Sequence, residues 1–160
     1  MMTDVRRILF VCTGNTCRSP LAEAIARAAI AERGLDIAVS SAGTSAWDGA
    51  PASDGALLVG MERDLDLNGH RARVLSEVLV RDADLILAMG AHHLERVEAM
   101  GAGGRAYLLT EYGSRGAERR AISDPFGGDL DVYRETADEL AREIARVLDR
   151  VVATDPPLAP

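Results

Sequence analysis

Four consecutive apolar residues, Ile8-Leu9-Phe10-Val11, run straight into the polar turn Cys12-Thr13-Gly14-Asn15-Thr16-Cys17-Arg18-Ser19, and helix-forming residues then continue from Pro20 to Gly34. The apolar run shows no alternation, which suits a short strand buried on both faces. Proline is favoured in the first helical turn because its missing N–H has no intrahelical partner there, so Pro20 is expected to open the helix with Ser19 at the N-cap. Gly34 is a C-terminal stop signal. A doubly buried strand that feeds a tight turn and a helix restricts the chain to folds with helices on both faces of a sheet.

The rest of the chain repeats this alternation. Residues 37–41 read as a second strand ending in Ala42-Gly43, followed by a helix over 52–63 and a shorter one over 75–80. Residues 84–89 (DLILAM) read as a third strand, 91–100 as a helix stopping at Gly101, and 106–109 as a fourth strand. A long loop is expected over 111–129, then a last helix over 131–152 whose apolar positions Val132, Leu140, Ile144, Val147, Leu148 and Val151 fall close to one stripe. Strands alternating with helices predict an open four-stranded parallel sheet with right-handed crossovers. Such sheets bind ligands at the carboxyl ends of their strands, where the turn after the first strand lies. The length of 160 residues suits a single domain, with a proline-rich tail over 153–160 expected to fray.

The net charge of -7 argues against nucleic acid as the partner, since phosphate backbones require a basic face, but allows a small cationic pocket. Every basic residue other than histidine is arginine, which reads as a compositional bias. Cys12 and Cys17 are too close together to form the disulfide framework of a secreted scaffold. The N-terminal apolar run is too short for a signal peptide, and no stretch is long enough to span a bilayer. The expectation is a soluble cytoplasmic protein without membrane partners.

The chemistry concentrates in the pattern C-x5-R-S of residues 12–19. Phosphoryl transfer to cysteine requires a thiolate, and a helix N-terminus and a nearby guanidinium both favour one. The same turn can aim several backbone N–H groups inward as an anion nest, and Arg18 adds a planar fork for two phosphate oxygens. The spacing alone recurs by chance. The apolar strand before it, Gly14 within it and the Ser-Pro helix start after it give it meaning.

VCTGNTCRSPLAEA resembles the phosphate loop and first helix of the low-molecular-weight protein-tyrosine phosphatases, and SAGT at 41–44, GHRAR at 69–73, DLILAM and DPF at 124–126 continue the resemblance in order. It implies a flavodoxin-like fold with the phosphate loop after the first strand. It also implies roles. Cys12 matches the nucleophile, Arg18 the phosphate-binding arginine and Asp124 the general acid, with Asp129 and Asp131 as rivals. Thr13, Gly14 and Thr16 belong to the loop, Asn15 matches its strained turn residue, and Ser19 matches the hydroxyl that stabilises the thiolate. Ser41 and His70 match groups that brace Asn15. Cys17 matches a second loop cysteine able to form a reversible disulfide with the nucleophile, which makes the site redox-sensitive. Trp47 stands where the family often has an aromatic cleft wall. His92 and His93 read as surface residues of a helix, and neither a metal nor an organic cofactor is expected.

Thr16 and DPFGG at 124–128 resemble the bacterial protein-arginine phosphatase branch, whose loop carries threonine where tyrosine-directed members carry isoleucine or leucine. A hydroxyl suits a polar guanidinium phosphate, whereas an aliphatic chain packs on a phenyl ring. Trp47 and GHRAR favour the tyrosine-directed pattern, and Phe126 suits either. The reading therefore favours hydrolysis of protein phosphoarginine, with inorganic phosphate as product and protein phosphotyrosine as the alternative. Arsenate reductase is less favoured, because both cysteines lie in one loop and none remains to pass a disulfide outward. A phosphocysteine carrier must hand its phosphoryl group on rather than give it to water, and Arg18 together with a candidate acid at Asp124 favours hydrolysis. A non-catalytic phosphoprotein-binding module would not need Cys12, Arg18 and Asp124 all intact.

Overall fold

A computed structural model describes residues 5–153. The elements follow the chain as β1 (Arg7–Cys12), α1 (Arg18–Arg33), β2 (Ala38–Gly43), α2 (Asp54–Glu62), α3 (Glu77–Asp82), β3 (Leu85–Ala88), α4 (Ala91–Ala99), β4 (Ala106–Leu108), α5 (Leu109–Gly113) and α6 (Leu130–Ala153). The sheet order is β2-β1-β3-β4, and every pairing is parallel. The expected open four-stranded parallel sheet is therefore present. The chain leaves β1 toward one edge and later returns to the other, which puts the switch point at the carboxyl end of β1.

Side-chain alternation along the central strands builds two cores. Ile8 and Phe10 of β1 and Leu85 and Leu87 of β3 face the larger one, packed by α1, α2, α5 and α6. Leu9, Val11 and Ile86 face the other, closed by Leu75, Val80, Ala83 and Val97. Both faces of β1 are thus dry, as its unbroken apolar run requires.

Several boundaries differ from the sequence expectation. Helix α1 begins at Arg18 with Cys17 at the N-cap, so Ser19 and Pro20 are its second and third residues. Proline is tolerated there because the first four N–H groups of a helix have no intrahelical partner. Ser19 makes no capping bond, since its hydroxyl is engaged by Cys12 and Asn15. The Gly34 stop holds, in the left-handed conformation. The segment expected to be one long loop from residue 111 is partly helical. It contains the end of α5, whose Leu109 and Tyr112 are buried and whose Glu111 side chain accepts from the Leu108 N–H. Beyond Ala153, the proline-rich tail lies outside the described residues.

Candidate active site

The loop between β1 and α1 is held by its carbonyls. The Cys12 and Thr13 carbonyls accept from the N–H groups of Thr44 and Ser45, Thr16 O from Ser53, and Cys17 O from Leu21. The Asn15 carbonyl lies 2.7 Å from His70 Nε2. The N–H groups of Thr13, Gly14, Asn15, Thr16 and Cys17 donate to no protein group among the described residues. With its carbonyls drawn into the scaffold, the loop leaves its N–H groups as a nest for an anion.

Asn15 makes this turn possible. It is fully buried with φ 56°, a left-handed conformation that asparagine tolerates better than most residues. Its Nδ2 donates to Ser19 Oγ at 2.7 Å and to Ser41 Oγ at 2.9 Å, and its Oδ1 accepts from Arg73 N at 3.0 Å. Ser41 in turn donates to Glu23 at 2.6 Å. Gly43 closes the back of the loop, because a Cβ there would lie 2.4 Å from Thr13 O and 2.9 Å from Asn15 N.

The Cys12 sulfur lies 2.8 Å from Ser19 Oγ. Arg18 is buried, with Nη1 donating to Ile122 O at 2.9 Å and Nη2 3.6 Å from Asp124 Oδ2. The Asp124 side chain is half exposed, and its Oδ1 accepts from Phe126 N at 3.1 Å. This segment is fixed at Ile122, whose N–H donates to Met89 O at the end of β3. It is further fixed at Arg120, which pairs with Glu118, Glu139 and Glu143. A cleft of about 230 Å³ results, lined by Cys12, Thr13, Gly14, Thr16, Cys17 and Arg18 from the loop and the start of α1 and by Asp124 and Phe126 from the later segment.

Of the residues expected at the site, Cys12, Thr13, Gly14, Thr16, Cys17, Arg18, Asp124 and Phe126 line this one cleft, and Asn15 and Ser19 are buried beneath it. Ser41 and His70 stand behind the loop, as expected of braces. Trp47 does not reach the cleft: it is 83% exposed, and its loop is tied to residues 72–74 through Gly49, Ala50 and Asp48. Asp129 accepts from Val132 N at the start of α6, and Asp131 pairs with Arg134, so neither rival acid lines the cleft. His93 was expected at the surface but is fully buried, with Nε2 2.7 Å from Thr13 Oγ1. Glu23, Gly43 and the Arg73 amide were not singled out as site residues. Cys17 donates to Ser53 Oγ at 3.3 Å and lies 3.4 Å from the Tyr133 hydroxyl, whose ionisation burial pushes up to about 12.

Comparison with known proteins agrees with this geometry. The protein-arginine-phosphatase of Bacillus subtilis (strain 168) is 40% identical over 152 residues, covering 92% of this chain and 97% of that protein. The low molecular weight protein-tyrosine-phosphatase PtpB of Staphylococcus haemolyticus is 42% identical over 142 residues, covering 88% and 96%. A structure of YwlE arginine phosphatase, a mutant with a phosphorylated active site serine, superposes with a TM-score of 0.84 at 36% identity, covering 96% of this chain and 99% of that one. The family model described as low molecular weight phosphotyrosine protein phosphatase matches residues 7–155, and the chain belongs to that family.

Proposed function

We propose that this chain hydrolyses phosphorylated proteins through a phosphocysteine on Cys12, with phosphoarginine as its preferred substrate. The observation that carries the hydrolase reading is the convergence of three groups on one cleft. These are the Cys12 sulfur beside the Ser19 hydroxyl, the loop N–H groups that no protein acceptor among the described residues takes, with Arg18, and the Asp124 carboxyl 3.6 Å from Arg18. The thiolate attacks phosphorus in line while the N–H groups and Arg18 hold the equatorial oxygens. An S–P bond forms as the P–N or P–O bond breaks, and Asp124 gives its proton to the leaving nitrogen or oxygen. Water then attacks the phosphocysteine, Asp124 takes a water proton, and inorganic phosphate leaves with the thiolate restored.

The substrate preference is supported by Thr16, which lines the cleft and presents a hydroxyl, and by the likeness to the Bacillus protein-arginine-phosphatase. Trp47, which favoured a phenyl ring in the sequence, stands outside the cleft. The phosphotyrosine alternative keeps the 73% exposed Phe126 ring at the rim and the likeness to PtpB. No helix among the described residues is long and apolar enough to cross a membrane.

Side-by-side kcat/KM values on phosphoarginine and phosphotyrosine peptides test the preference. The wild type should favour phosphoarginine. Thr16→Ile should lose at least about tenfold on it, consistent with one unpaired polar group, and keep its phosphotyrosine activity. A wild type that prefers phosphotyrosine, with Thr16→Ile changing neither activity, would overturn the preference and leave the hydrolase reading standing.

A further inference from the structure

The phosphate loop has a side-chain support outside the Asn15 network, on the opposite side of the sheet. Helix α4 begins just past the carboxyl end of β3, and its third residue, His93, is fully buried. His93 Nε2 lies 2.7 Å from Thr13 Oγ1, while Nδ1 is buried with no partner among the described residues. Burial first, then His92 and Arg18, push the imidazole down to about 4 against the opposing pull of Asp124, so the ring is neutral at pH 7. A neutral imidazole carries one proton, on one nitrogen. Buried N–H groups without an acceptor are rarer in proteins than acceptors with an unused lone pair. A proton on Nε2, donated to Thr13 Oγ1, leaves only a lone pair unused at Nδ1, whereas a proton on Nδ1 would be a buried donor with no acceptor among the described residues.

That assignment fixes what the threonine does. A hydroxyl that accepts from His93 keeps its own proton for a different acceptor. Thr13 follows the cysteine nucleophile directly and lines the cleft, where a phosphoryl group brings oxygen acceptors. We propose that His93 is a positioning residue of the phosphate site: its Nε2–H holds Thr13 Oγ1 so that the Thr13 hydroxyl donates into the cleft, to a phosphoryl oxygen. This rests on the phosphatase reading and adds one side-chain donor to the backbone nest and Arg18. The histidine acts without changing its charge, as a fixed donor that sets the direction of a neighbouring hydroxyl.

Two measurements test it. Nitrogen-15 NMR of the histidine rings in the wild-type protein, with and without inorganic phosphate, reads the tautomer directly. Neutral His93 protonated at Nε2 is expected in both states, and protonation at Nδ1 overturns the proposal. The second measurement is inhibition by inorganic phosphate in Thr13→Val, His93→Leu, the double variant and His93→Gln. Each of the first two should weaken phosphate about tenfold or more, the size of one hydrogen bond to a charged group. The double variant should be no weaker than Thr13→Val within about twofold, because both changes remove one interaction. His93→Gln, whose amide can reach the same oxygen, should recover binding to within about threefold of wild type. Losses that multiply in the double variant, or wild-type phosphate affinity in Thr13→Val, overturn the proposal alone. A wild type that binds no phosphate overturns it together with the phosphatase reading. The NMR measurement decides even if His93→Leu does not fold.

Discussion

The Ser19 hydroxyl accepts an N–H from Asn15 at 2.7 Å and lies 2.8 Å from the Cys12 sulfur, so its own proton is free to be donated to a thiolate there, which can only accept. The chain of donors runs from Arg73 N into Asn15 Oδ1, from Asn15 Nδ2 to both serines, and from Ser41 to Glu23. Ser19→Ala should therefore lower kcat by ~10- to 150-fold, the worth of a hydrogen bond to a charged group. Inorganic phosphate, held by the loop amides and Arg18, should still bind within about threefold of wild type. Equal losses in kcat and in phosphate binding would mean instead that the loop has collapsed.

Asp124→Ala should lower kcat by ~10²–10⁴-fold, most on substrates with poor leaving groups. Asp129 is the control, because its carboxylate accepts from Val132 N at the start of α6. Asp129→Ala should cost ~0.5–2 kcal/mol of stability, as loss of a helix cap does, with kcat within about threefold. Steady-state kinetics on aryl phosphates of graded leaving-group acidity, with urea unfolding of both variants, separates the two roles. A larger kinetic loss in Asp129→Ala would move the acid to that residue.

Gly43→Ala places a methyl group 2.4 Å from the Thr13 carbonyl and 2.9 Å from the Asn15 amide, atoms of backbone that cannot swing away. Either β2 or the phosphate loop must shift. Overpacking of this kind costs ~1–3 kcal/mol. The expected result is a drop in kcat/KM of at least about tenfold together with a lowered unfolding midpoint, since reacting groups displaced by about an ångström lose that much or more. Unchanged kinetics in a folded variant would show that the loop does not need this close approach.

His93 makes stability depend on pH. Its folded pKa of about 4 lies below the ordinary 6.5, so the unfolded chain binds the proton first. Stability is full above about pH 6.5 and falls as pH drops toward about 4, by up to ~3 kcal/mol from this group. Positive charge on His92 and Arg18 opposes its protonation, and the Asp124 carboxylate favours it. Urea unfolding of wild type and His93→Gln at about pH 7.5 and about pH 4.5 should show a smaller acid loss in the variant. Parallel losses in the two proteins would place a charged, exposed histidine at this position.

How much of this was legible in the sequence depended on how local each feature is. The unbroken apolar β1, the turn after it and the Gly34 stop are decided within a few residues, and they appear where the sequence puts them. The start of α1 was misplaced because Ser19 is a good capping residue whose hydroxyl is claimed by Asn15, a partner set by the loop's path. One short turn, α5, is too brief to announce itself by periodicity. Ser41 and His70 were recognised by resemblance, because their partner Asn15 is 26 and 55 residues away and no spacing shows the contact. His93 was misread for the same reason: its burial depends on how α4 crosses the end of the sheet. Trp47 is 83% exposed and is not among the residues lining the cleft, and the ties of its loop to residues 72–74 join segments that no local spacing connects.

The covalent intermediate is the most direct test of the chemistry. Asp124→Ala should be mixed with a phosphorylated protein substrate, quenched in acid within the first turnover and digested with trypsin. Peptide 8–18 carries both Cys12 and Cys17, so fragment-ion masses must assign the modified sulfur. The expected result is a phosphoryl group on Cys12, present at the earliest times, decaying as inorganic phosphate appears and absent from a Cys12→Ser, Asp124→Ala double variant. A phosphoryl group on Cys17, or release of inorganic phosphate by Cys12→Ser at the wild-type rate, would contradict it.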